Sequence, residues 1–106
     1  MIEEINAVDA AKLKEQDPEV CFLDVREDME LEICRIDGAL HIPMGTIPET
    51  FEQLPRSATI VVLCHHGMRS MQVAQFLQAQ GFTDLKNLAG GIHAWAHSVD
   101  PNMAQY

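Results

Sequence analysis

Along most of this chain the apolar residues come in short blocks, separated by charged or turn-forming residues. Two blocks are the clearest. "VCFLDV" (20–25) lies between Asp-Pro-Glu and Arg-Glu-Asp, and "TIVVLC" (59–64) is a continuous run rich in β-branched residues. Runs that short, apolar on both faces, predict buried strands of a parallel sheet. A third strand is predicted over 85–88, and "GALHIP" (38–43) reads as a turn, a brief strand and a stop at proline.

Between these blocks the spacing changes to that of helices. Asp9 is placed to cap a helix over 10–16 that stops before Pro18. A short helix fits 27–33. Thr46 is placed to cap a helix running to about Leu54, with Glu49 as its capping-box partner. From Arg69 or Ser70 to Gln80, Met71, Val73, Ala74, Phe76 and Leu77 make one apolar face, and Gly81 follows as the residue that ends the helix. Gly90-Gly91 reads as a tight turn before a last helix over 92–97. Strands alternating with helices predict an α/β fold, a mostly parallel sheet with helices on both faces.

The chain has 106 residues, the size of one small domain with one core. No apolar run is long enough for a membrane span. "MIEEINAVDA" has neither the basic nor the apolar region of a secretory signal, so a cytoplasmic protein is expected. The formal net charge of −9 argues against a nucleic-acid partner. That charge is uneven: residues 1–55 hold 14 Asp/Glu against 4 Lys/Arg, and residues 56–106 hold 2 against 3. The second half, with His65, His66, His93 and His97, is open to an anion, unless the acidic half serves only solubility. The cysteines Cys21, Cys34 and Cys64 are odd in number and form no C-x-x-C pair, which suits free thiols. Cys21 reads as a small buried apolar residue.

"VVLCHHGMRS" (61–70) carries the chemistry. Ligands of open parallel sheets bind beyond the carboxyl ends of the strands, and Cys64 ends the central one. His65, His66, Gly67, Met68, Arg69 and Ser70 lead directly into a helix. Backbone N–H groups turned inward there, with the helix dipole, make an anion cradle. Such a cradle and Arg69 favour a thiolate, and Gly67 lets the loop turn. The alternative is a core thiol beside an ordinary loop. Adjacent His65 and His66 cannot wrap one tetrahedral ion by themselves, and no second ligand pair stands nearby in sequence, so no metal is expected. His93 and His97 read as surface residues beside a buried Trp95. Asp24 and Arg26, at the end of another strand, either brace the loop from the same sheet edge or form a surface ion pair of little worth.

Four segments together resemble the single-domain rhodanese-like sulfurtransferases: "FLDVRE" (22–27), "GALHIP" (38–43), "VVLCHHGMRS" (61–70) and "GFTDLKNLAGGIHAW" (81–95). They stand in the family's order and cover nearly the whole chain. The resemblance implies a single rhodanese-like domain over 1–106 with a five-stranded, mostly parallel sheet. It implies Cys64 as nucleophile, taking a sulfane sulfur from thiosulfate or a persulfide donor and passing it to cyanide or a thiol acceptor, which can be a small thiol protein. No dissociable cofactor is implied. Residues 65–70 would cradle the anionic sulfur, with Arg69 helping to hold the donor. The related phosphatases and arsenate reductases have a loop one residue longer than the C-x4-R found here. A non-catalytic binding or redox-sensing module is the other alternative. One departure is visible in "CRIDGA" (34–39), where Cys34 and Arg35 replace the glycine and histidine of many relatives.

Overall fold

The computed structural model describes residues 2–106. Five strands form one sheet: β1 (Glu3–Ile5), β2 (Cys21–Asp24), β3 (Leu40–His41), β4 (Ile60–Leu63) and β5 (Leu85–Leu88), in the order β1-β5-β4-β2-β3. All four pairings are parallel. Between them run the helices α1 (Ala7–Gln16), α2 (Asp28–Ile33), α3 (Ile47–Thr50), α4 (Met68–Ala79) and α5 (Gly91–Ser98). None of the described helices is long and apolar enough to cross a membrane.

β4 is central, and every residue in it is buried. Its side chains alternate between two cores, as the pleat requires. Ile60 and Val62, with Cys64 just beyond the strand, join Leu23, Val25 and the α4 residues Val73, Ala74 and Leu77. Val61 and Leu63 face the other way, toward Phe22, Leu88, Ala7 and Ala10 of α1, and Ile92 and Trp95 of α5. The rings of Phe22 and Trp95 meet edge to face at 5.8 Å. Each fully buried aliphatic side chain contributes roughly 1.5–3 kcal/mol, so β4 is the strand the fold is assembled around.

Several expectations need correction. β1 falls in a segment that gave no strand signal, since a three-residue edge strand carrying two glutamates shows no apolar alternation. The first helix begins at Ala7, and its cap is Asn6, whose Oδ1 accepts the Asp9 N–H at 2.8 Å; Asp9 itself lies in the first turn. The helix predicted from Thr46 to Leu54 is broken into a 3-10 turn (Met44–Thr46), α3 and a second 3-10 turn (Phe51–Gln53). Thr46 is not a cap: its backbone is already helical, and its hydroxyl turns back to donate to the Pro43 carbonyl at 3.0 Å. A capping box forms instead at α2, between Glu27 and Glu30. Cys21 is half-buried rather than enclosed.

Candidate active site

β4 delivers Cys64 to the carboxyl edge of the sheet, where its residue is 1 % exposed. The chain then turns through Gly67, whose φ of +108° suits only glycine, and enters α4. The turn is fastened from two sides. On one, the Asn87 amide of β5 donates to the Gly67 carbonyl at 3.0 Å. On the other, the first turn of α5 donates to the loop, from Ile92 N–H to the Cys64 carbonyl at 2.9 Å and from His93 N–H to the His65 carbonyl at 3.1 Å. Gly91 lies so close that a Cβ there would collide with the carbonyls of Cys64 and His65. We expect Gly91→Ala to lower the melting temperature by more than 10 °C, since strain of about 2–3 kcal/mol costs roughly that in a domain of this size. A thermal melt followed by circular dichroism checks this.

The sulfur of Cys64 accepts the Gly67 N–H at 3.1 Å and lies 3.4 Å from the Ser70 hydroxyl. Burial pushes this thiol up. The Ser70 hydroxyl and the backbone N–H groups of Ser70, Gly67 and His66 more than offset it, and the net shift is downward, toward thiolate. The cradle thus comes from three residues of the loop. Met68 sends its side chain into solvent, and the His65 carbonyl faces α5.

Ser70 has one hydroxyl hydrogen and two acceptors within reach, Cys64 Sγ and Asn87 Oδ1 at 2.5 Å. Asn87 is held with its amide nitrogen toward Gly67 and Glu4, so its oxygen must face Ser70. The hydroxyl can serve Asn87 while Cys64 is a thiol, and turn to the sulfur when it ionises. For Ser70→Ala we expect iodoacetamide alkylation of Cys64 near neutral pH to slow about tenfold, the worth of one charge-assisted hydrogen bond of about 1.5 kcal/mol. The rate profile should move to higher pH.

Arg69 does not point its charge freely at the sulfur. Its Nη1 and Nη2 donate to Glu30 at 2.8 and 2.9 Å, and this clamp pulls the Glu30 carboxyl down to about 2. The second half, read as open to an anion, has one carboxylate of the acidic half at its loop, Glu30. The parallel topology carries α2 from the acidic half to the loop. Arg69 offsets little of the burial of Cys64; the N–H groups and Ser70 do that.

Asp24 and Arg26 form a buried pair rather than a surface one, both 0 % exposed. Arg26 donates from Nη2 to Asp24 at 2.8 Å and to the Cys34 carbonyl at 2.8 Å, and from Nη1 to the Tyr106 hydroxyl at 2.9 Å. Tyr106 in turn donates to Glu30 at 2.8 Å. Burial pushes the Tyr106 hydroxyl up to about 12 against the pull of Arg26, so it stays a donor. A continuous chain, Asp24–Arg26–Tyr106–Glu30–Arg69, thereby joins β2 to the loop. Its ring also stacks on His65 at 3.9 Å.

Of the residues singled out in the sequence, Cys64, His66, Gly67 and Ser70 meet at the sulfur, Arg69 stands at the rim, and Asp24 and Arg26 lie behind it. Glu30, Asn87, Gly91 and Tyr106 complete the arrangement. Asn87 was detectable as a lone amide in the strand "LKNL"; Tyr106 had no signal. In three dimensions His65 and His66 do have a further imidazole near them, contrary to the expectation from spacing along the chain, because α5 brings His93 beside them. An open cavity of about 560 Å³, lined by residues of α2 with Cys34, Arg35 and His41, does not reach the loop. Chemistry, not volume, locates the site.

Comparison with known proteins agrees with this architecture. Residues 6–98 match the model of the Rhodanese-like domain. The chain is 43% identical over 101 residues to the putative sulfurtransferase YtwF of Bacillus subtilis, covering 92% of this chain and 97% of that protein. It is 30% identical to the thiosulfate sulfurtransferase GlpE of Tolumonas auensis, covering 76% of each. The crystal structure of a rhodanese-like domain protein from Staphylococcus aureus superposes with a TM-score of 0.85 at 30% identity over 99% of both chains. Other relatives are longer: the chain spans 34% of the Rhodanese-like/PpiC domain-containing protein 12, chloroplastic, of Arabidopsis thaliana.

Proposed function

Since the chain belongs to the rhodanese-like sulfurtransferase family, we propose that it moves a sulfane sulfur from thiosulfate or a small persulfide to a thiol or to cyanide through a persulfide on Cys64. The observation that carries this reading is the Cys64 sulfur itself, set among inward N–H groups at the start of α4. In the first half-reaction the thiolate attacks the outer sulfur of thiosulfate. A new S–S bond forms on Cys64, the old one breaks, and sulfite leaves with the electron pair. In the second, the acceptor attacks the outer sulfur of the persulfide, and Cys64 leaves as thiolate. No net oxidant is needed.

The cradle has work in both halves. The N–H groups of His66, Gly67 and Ser70 stabilise negative charge on Sγ, in the thiolate that attacks and again in the thiolate that leaves. Arg69 spends two N–H donors on Glu30 and keeps others for an anionic donor at the mouth. Asp24, Arg26, Glu30 and Tyr106 hold that guanidinium in place. A phosphatase or arsenate reductase reading is less well supported, because the C-x4-R loop is one residue shorter than theirs.

A survey of donors and acceptors tests this. We expect Cys64-dependent formation of thiocyanate from thiosulfate and cyanide, and no Cys64-dependent release of p-nitrophenol from p-nitrophenyl phosphate. Phosphate ester turnover without sulfur transfer would overturn the reading. Sulfur transfer to neither cyanide nor dithiothreitol, from any sulfane donor, would favour the binding module.

A further inference from the structure

Four of the five histidines form a row along one rim of the Cys64 loop. The rings of His65 and His66 lie 4.0 Å apart, His66 and His93 5.1 Å, and His93 and His97 4.7 Å. Sulfur transfer as derived above assigns none of these rings a step. They come from two elements, the loop after β4 and the helix α5. The backbone fixes their separation, since His93 N–H donates to the His65 carbonyl and Gly91 packs directly on it.

We propose that His65, His66 and His93 form a binding site for a borderline divalent transition metal of the Zn²⁺ class. One ring nitrogen from each residue lies within 4.8 Å of the others. Tetrahedral zinc with bonds of about 2.0–2.1 Å needs ligand nitrogens roughly 3.3 Å apart. The closure required is about 1.5 Å, within reach of side-chain rotation at the exposed His66 alone or shared with its neighbours. Three imidazoles with no thiolate or carboxylate favour zinc, nickel or copper over calcium or magnesium. The three would leave the fourth position to water.

One further contact favours the site. Tyr106 stacks on the outer face of His65 and limits its rotation. The site is separate from the sulfur chemistry: the cation would sit on the rim, with the thiol of Cys64 turned inward under the loop. The proposal therefore does not depend on the sulfurtransferase reading.

Calorimetric titration of the tag-free, reduced full chain with zinc chloride tests it. We expect one saturable site in the wild type and in Cys64→Ser. Affinity should fall roughly tenfold or more in His66→Ala and in His93→Ala. Zinc should raise the melting temperature of the wild type and not of these two variants. His66 is exposed, so its replacement keeps the fold, and melts without zinc confirm this for both. Absence of saturable binding would overturn the proposal, and so would equal affinity in His66→Ala and His93→Ala. Binding lost only in Cys64→Ser would place the metal on the thiol and overturn it too.

Discussion

Cys64→Ser is expected to lower thiosulfate-dependent thiocyanate formation by at least about 10³-fold, or about 4 kcal/mol in transition-state stabilisation. The loss follows from the atom, not from the shape of the site. A hydroxyl stays protonated under the same N–H groups that favour a thiolate, and oxygen does not carry a sulfane sulfur between donor and acceptor. The fold should tolerate the change. Serine is the smaller side chain, and its oxygen can accept the Gly67 N–H that the sulfur accepts now. Its melting temperature should therefore stay within a few degrees of the wild type, for a cost of at most about 1 kcal/mol. Steady-state rates and a thermal melt on the same preparation separate lost chemistry from lost structure. A variant that keeps its turnover would remove Cys64 from the mechanism.

Asp24→Ala is expected to give the largest loss of stability. It leaves the Arg26 guanidinium buried without its carboxylate, facing the Tyr106 hydroxyl and backbone carbonyls. Breaking one side of a buried pair costs about 3–5 kcal/mol, a large part of the roughly 5–15 kcal/mol that holds a domain together. The melting temperature should fall on the order of 20 °C. Joint replacement, Asp24→Leu with Arg26→Met, should cost less, because no charge is then stranded. It should still weaken sulfur transfer, since Glu30 and Arg69 lose the brace that Arg26 gives through Tyr106. A fall of only a few degrees in Asp24→Ala would mean that Arg26 finds other partners and that the pair does not organise this edge of the sheet.

What could be read in the sequence was what depends on neighbours along the chain. The β4 run, the turn at Gly67 and the helix behind it are local, and so the position of Cys64 at a sheet edge follows from them. Gly81 ends α4 for the same kind of reason. Residues that act across the fold were harder. Glu30 belongs to the acidic half by sequence, yet the parallel topology sets α2 against the loop, where it takes the charge of Arg69. Tyr106 lies 80 residues from Arg26 and has no pattern around it. His93 is exposed, as read, but its nearness to His65 and His66 arises only when α5 closes on the loop. β1 was hidden for an energetic reason. A short edge strand can be held by its pairing with β5 and by contacts such as Glu3 with Lys86 at 2.8 Å, with little apolar burial of its own.

The central claim is that Cys64 carries the sulfur between donor and acceptor. Intact mass spectrometry of the reduced protein after brief incubation with thiosulfate tests it most directly. We expect a gain of one sulfur atom, mapped to the peptide containing Cys64, removed by cyanide and absent from Cys64→Ser. A gain that persists in Cys64→Ser, or no gain with thiosulfate or any small persulfide donor, would contradict it.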